Sequence, residues 1–116
     1  MEYNFEFTRG DTFVFNFQLV DADGNVIVLT PTTSEVIFTV KPDYAPENVV
    51  LQKKYSTGEI QFADNYVVVE IMPTDTNDLL YGTYVYDVEF TSGDYVKTVL
   101  KGNIVLTKEV TTAQDK

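Results

Sequence analysis

The segment Asp78-Leu-Leu-Tyr-Gly-Thr-Tyr-Val-Tyr-Asp-Val-Glu-Phe90 constrains the fold of this chain more than any other. It places a leucine, then a glycine, then tyrosines at alternate positions on the way into a strand. Greek-key β-sandwiches turn the corner between their two sheets with this pattern. The tyrosine ring packs inward and its hydroxyl bonds to backbone just upstream, so one side chain ties the crossover to the next strand. Tyr84 is thereby expected as the corner residue, with Gly82 making the sharp approach.

The rest of the sequence is written in the same period of two. Tyr3, Phe5 and Phe7 alternate with Glu2, Asn4, Glu6 and Thr8. After Arg9-Gly-Asp11, the residues Phe13, Phe15, Phe17 and Leu19 alternate with Val14, Asn16, Gln18 and Val20. Such alternation gives a strand one buried and one wetter face. Residues 21–25 read as a turn and 26–29 as a short return strand, while Val36, Phe38 and Val40 form the inward set of another. Further strands are expected over residues 49–55, 60–62, 66–72, 84–90, 95–101 and 103–108, with Gly102 breaking the last ladder as a bulge. Polar capping residues after Pro73 predict a single helical turn near residues 74–80 that crosses between sheets. Eight or nine short strands without an amphipathic helix predict an all-β, immunoglobulin-like Greek-key β-sandwich, one domain over residues 1–116.

Composition narrows the chemistry. The chain has no cysteine and no histidine. Disulfides, thiolate and imidazole metal sites, Cys–His or Ser–His nucleophiles and a histidine pH switch are therefore excluded. Net charge is −10, from 18 acidic and 8 basic residues, and Lys53-Lys54 is the only adjacent basic pair. That surface repels a phosphate backbone, so no nucleic-acid partner is expected. The start Met1-Glu-Tyr-Asn-Phe-Glu lacks the basic and apolar regions of a secretory signal, and no apolar run approaches membrane-helix length. No membrane partner, cofactor or metal is expected.

Three motifs invite sharper readings. Arg9-Gly-Asp11 matches a cell-adhesion tripeptide, but Gly-Asp between two alternating strands is an ordinary turn. Asp21-Ala-Asp-Gly-Asn25 begins like a calcium loop, yet the sixth and twelfth positions hold Val26 and Thr32 where Gly and Glu would be needed, which favours a hairpin turn. Asp75, Asp78 and Asp87 bracket the corner, and capping and solvation explain the first two better than a two-carboxylate hydrolase site. No catalytic residue is assigned, and a hydrolase ranks last.

Val14, Val67, Val69, Val85, Tyr95 and Val99 sit opposite the clearer inward sets. Either they complete the core or they form an apolar patch for another subunit. Val67, Val69, Val85 and Tyr95 are the interface candidates. A competing reading is a carbohydrate-binding module that stacks sugars on exposed tyrosines, with Tyr44, Tyr55 and Tyr66 as candidates.

The order of several segments resembles small immunoglobulin-like modules of tailed phages, most of all the N-terminal domain of siphophage baseplate upper proteins. The segments are Arg9-Gly-Asp-Thr12 before a Phe-rich strand, Val20-Asp-Ala-Asp-Gly-Asn-Val-Ile27, and Val36-Ile-Phe-Thr-Val-Lys41. They continue with Ile71-Met-Pro-Thr-Asp-Thr76, Leu80-Tyr-Gly-Thr-Tyr-Val-Tyr-Asp-Val88 and Lys97-Thr-Val-Leu-Lys-Gly102. The resemblance implies a non-enzymatic virion structural protein, made in the host bacterial cytoplasm. It would act in the tail or baseplate through contacts with other tail proteins or as a homo-oligomer. The chain departs from the baseplate proteins in having no helical stalk after the domain, which favours an accessory or connector module.

Overall fold

A computed structural model describes residues 2–30, 34–45 and 47–108. Its elements are β1 (Phe5–Thr8), β2 (Phe13–Phe17), β3 (Ser34–Pro42), β4 (Leu51–Lys54), β5 (Ile60–Ala63), β6 (Tyr66–Ile71), α1 (Pro73–Thr76), β7 (Gly82–Ser92) and β8 (Tyr95–Thr107). They form a five-stranded sheet, β1-β8-β7-β3-β4, facing a three-stranded sheet, β2-β6-β5. The fold is an all-β Greek-key sandwich of the immunoglobulin-like kind. β1 runs parallel to β8, extended by a parallel bridge between Glu2 and Lys101, and the other pairings between these strands are antiparallel.

The alternating pattern dictates the packing. Val36, Phe38 and Val40 on β3 face Tyr84, Tyr86, Val88 and Phe90 on β7, and all seven are buried. Across the gap, Phe15 on β2 and Val67, Val69 and Ile71 on β6 complete the core. Phe15 is the aromatic hub, with its ring centroid 4.7 Å from Phe5 and 5.6 Å from Phe38.

The crossover from β6 to β7 changes sheet through α1. Pro73 opens the turn with a preset φ, and the Asp75 carboxylate accepts the Met72 N–H at 2.7 Å. The helical part is shorter than the expected 74–80: it ends at Thr76 and continues as a turn closed by Leu79 N–H on the Thr76 carbonyl. Gly82 then enters β7 at φ +136°, a conformation side chains rarely adopt, and the Tyr84 hydroxyl donates to the Leu80 carbonyl at 2.7 Å.

Three sequence expectations are corrected. Val67 and Val69 are fully buried and cannot serve as outward contacts. The reason is the β5–β6 hairpin, whose two-residue turn Asp64-Asn65 has φ of 53° and 70°. A turn of that length pairs Phe62 with Val67 and Ile60 with Val69, on one face. Gly102 is not a bulge, for it pairs regularly with Tyr86; the ladder slips instead where Val88 opposes Leu100 and Glu89 opposes Thr98, leaving Val99 extra. Residues 26–29 form no strand beyond one bridge between Val20 and Val26, although Leu19 and Leu29 still plug the core from this loop.

Candidate interaction surface

Two of the four interface candidates remain at the surface, and they lie on different parts of it. Val85 is half-buried on the outer face of the five-stranded sheet. Tyr95, expected opposite the inward set, instead stands at the start of β8 on the same sheet face as buried Phe90, and is exposed because it lies at the hairpin end. Of the other outward positions, Val14 is exposed on β2, and Val99 packs partly against the core at the bulge.

The register of the outer face places unlike residues in rows. Gln52, Thr39, Asp87 and Lys101 lie abreast across β4, β3, β7 and β8, and Lys41, Val85 and Asn103 form the next row. The Gln52 amide donates to the Thr39 hydroxyl at 3.2 Å. Together these strands floor a shallow hollow of about 520 Å³. Ile37, Val49 and Val85 give it apolar ground, and Lys41, Lys101, Asp87 and Glu89 lie among them with charges of both signs, the Thr39–Asp87 pair separating Val85 from Ile37. A face of interleaved apolar and charged residues is suited to protein contacts, because the apolar ground gains from desolvation while charges of both signs set register.

The opposite end from Tyr95, around the corner, is fastened inwards. Arg9 donates from its guanidinium to the Leu79 carbonyl and the Tyr81 hydroxyl, each at 3.0 Å, and lies 4.2 Å from the Tyr81 ring centre. The Gly10 N–H donates to the buried Thr76 hydroxyl at 2.9 Å. The adhesion-like tripeptide is thus the clasp that seats the β1–β2 turn on α1. Lys53, facing inward from β4, reaches Asp75 at 2.8 Å and joins the edge of the five-stranded sheet to the same corner.

The tyrosines proposed for sugar stacking do not converge. Tyr44 is exposed in the β3–β4 connection near the corner, Tyr66 begins β6 at the far end, and Tyr55 packs partly against the core. The acidic loop 21–25 is a self-contained turn in which one Asp21 oxygen accepts the Asp23 and Asn25 N–H groups, both at 2.9 Å. Among the described residues no cluster of three carboxylates is placed to hold a metal.

Electrostatics across the fold follow local bonding. Burial pushes the Glu35 carboxyl up, but bonds from the Ser56 hydroxyl and N–H and from the Val36 N–H outweigh it and leave it below the ordinary value. Burial raises the phenols of Tyr84 and Tyr86, with neighbouring Tyr44 and Tyr3 adding to it.

No family model matches the sequence, and no curated protein matches it. Among solved structures, CopC from Methylosinus trichosporium OB3b aligns at 13% identity over 72% of this chain and 70% of its own, with a TM-score of 0.41. A family 123 glycoside hydrolase from Clostridium perfringens aligns at 10% identity and a TM-score of 0.42. That alignment takes in 96% of this chain but only 23% of the hydrolase chain.

Proposed function

We propose that this chain is a non-enzymatic structural module of a tailed-phage virion, an accessory or connector in the tail or baseplate. It works through protein–protein contacts made by the outer face of the five-stranded sheet. One observation carries the contact reading: the hollow where Val85, Ile37 and Val49 offer apolar surface interleaved with Lys41, Lys101, Asp87 and Glu89. The virion assignment is supported by the order of sequence segments, which resembles that of siphophage baseplate modules.

Val85→Glu combined with Ile37→Glu tests the surface. Both positions lie on the sheet's outer face, so the monomer is expected to keep its fold by circular dichroism. Light scattering of the chain alone, and co-sedimentation with neighbouring tail proteins, should show an assembly that the double variant loses. Assembly unchanged by both substitutions would reject this surface, and absence of the chain from purified virions would reject the virion role.

A further inference from the structure

The five-stranded sheet is longer than the sheet it packs on. β7 has 11 residues and β8 has 13, against 5 in β2 and 6 in β6. The β7–β8 hairpin therefore overhangs the core at one end. Phe90 opposes Lys97 and Ser92 opposes Tyr95 in the ladder, so Tyr95 and Lys97 lie on the same sheet face as buried Phe90. Tyr95 is nevertheless 55% exposed, and Lys97 is exposed as well. What faces them is the loop after β2, where Val20 and Ile27 form the other wall of a cleft of about 610 Å³.

The cleft has the chemistry of a ligand site. Its volume falls in the range of small-molecule clefts. The Tyr95 ring is propped edge-on by Phe90, with centroids 6.2 Å apart and planes at 64°. One wall carries Asp21 and the other Lys97, with Ser92 beside them. A ligand of either net charge meets one like charge between these walls. A neutral polyhydroxyl ligand meets none: its hydroxyls can donate to the carboxylate and accept from the ammonium, and its apolar C–H face can lie on the tyrosine ring.

The geometry points to a binding site for a short neutral oligosaccharide, stacked on Tyr95 between the 20–27 loop and the β7–β8 hairpin. This site is separate from the outer sheet face and stands or falls independently of it.

Titration of the full chain with maltotriose, cellotriose and tri-N-acetylchitotriose, followed through backbone amide resonances, tests the site. At least one probe is expected to give saturable shifts confined to residues 20–27 and 90–97. Tyr95→Ala should weaken that binding about tenfold or more, because the stacking surface is gone. Lys97→Ala should weaken it less, and Tyr44→Ala, at the other end of the sandwich, not at all. Circular dichroism confirms that each variant is folded. The site is overturned if no probe gives saturable shifts, if they fall elsewhere, or if Tyr95→Ala binds like the parent. It is equally overturned if only an acidic probe such as sialyllactose binds. Cleft resonances that move with protein concentration alone would assign the cleft to a second copy and also reject it.

Discussion

The Tyr86 hydroxyl donates to the Tyr3 carbonyl at 2.6 Å, joining the middle of β7 to the N-terminal arm across 83 residues of sequence. Burial raises the Tyr86 phenol above its ordinary value of 10.0, and the nearby Tyr3 adds to it. The folded state therefore keeps this proton more tightly than the unfolded chain does. The resulting stability is fully present below about pH 10 and lost as pH rises toward the folded-state value. Tyr86→Phe should cost about 1 kcal/mol at neutral pH, for the lost bond and the orphaned carbonyl. It should also flatten the alkaline fall of the urea midpoint, and an equal alkaline slope in both proteins would show that Tyr86 is not the group responsible.

Gly102 exists to let that carbonyl in. It occupies an inward-facing position on β8, between buried Leu100 and Ile104, where a side chain would ordinarily fill the core. A Cβ built there collides with the Tyr3 carbonyl oxygen and comes within 2.9 Å of the Asn4 side-chain oxygen. That oxygen already accepts the Asn103 N–H at 2.9 Å. Gly102→Ala is expected to push the arm off β8 and cost roughly 1–3 kcal/mol. Hydrogen exchange should localise the loss: the Tyr3 and Asn103 amides should exchange faster while the β3–β7 ladder stays protected.

The Lys53–Asp75 pair should respond unequally to loss of its two members. Only about a tenth of the Lys53 side chain is exposed, and Asp75 also holds the Met72 N–H at the start of α1. Asp75→Ala removes a cap and strands an ammonium at the sheet edge, which should cost about 2–3 kcal/mol. Lys53→Met keeps the volume and removes the charge, leaving a carboxylate that retains its backbone bond, so it should cost less than about 1 kcal/mol. Thermal denaturation of the two variants decides it; a larger loss for Lys53→Met would mean that a carboxylate left without its ammonium costs more than the stranded ammonium and the lost cap together.

Which parts of this architecture could be read from the sequence depended on whether the signal was local. The corner was legible because Gly82 and Tyr84 are two residues apart and one bond to Leu80 closes it. Val67 and Val69 were misplaced because residues 66–69, Tyr-Val-Val-Val, are apolar at both parities. The signal that resolves them is two residues upstream. Asp64-Asn65 is the kind of pair that tolerates positive φ, and a two-residue turn fixes Phe62 opposite Val67. Gly102 could not be read at all, since its reason is a backbone nearly a hundred residues away. The hairpin overhang was illegible for a similar reason: strand lengths in two different sheets must be compared before Tyr95, expected to point outward, is seen to share the inward face of Phe90 beyond the end of the smaller sheet.

The Arg9 clasp gives the last expectation. Its guanidinium combines a bond to the Leu79 carbonyl, a bond to the Tyr81 hydroxyl and a position over the Tyr81 ring. Arg9→Ala should lower stability by about 1–2 kcal/mol, mainly through the part-buried bond to Leu79. In a double-mutant cycle with Tyr81→Ala, coupling of about 0.5–1 kcal/mol is expected, because the ring contact is exposed and the carbonyl bond survives loss of the ring. Coupling near zero would mean the ring is a bystander. The same geometry bears on adhesion. An arginine held at two oxygens and a glycine held by Thr76 cannot adopt the extended loop a receptor would need. Cells plated on the intact chain should therefore adhere no better than on Asp11→Glu, and adhesion lost with that substitution would show that the clasp opens.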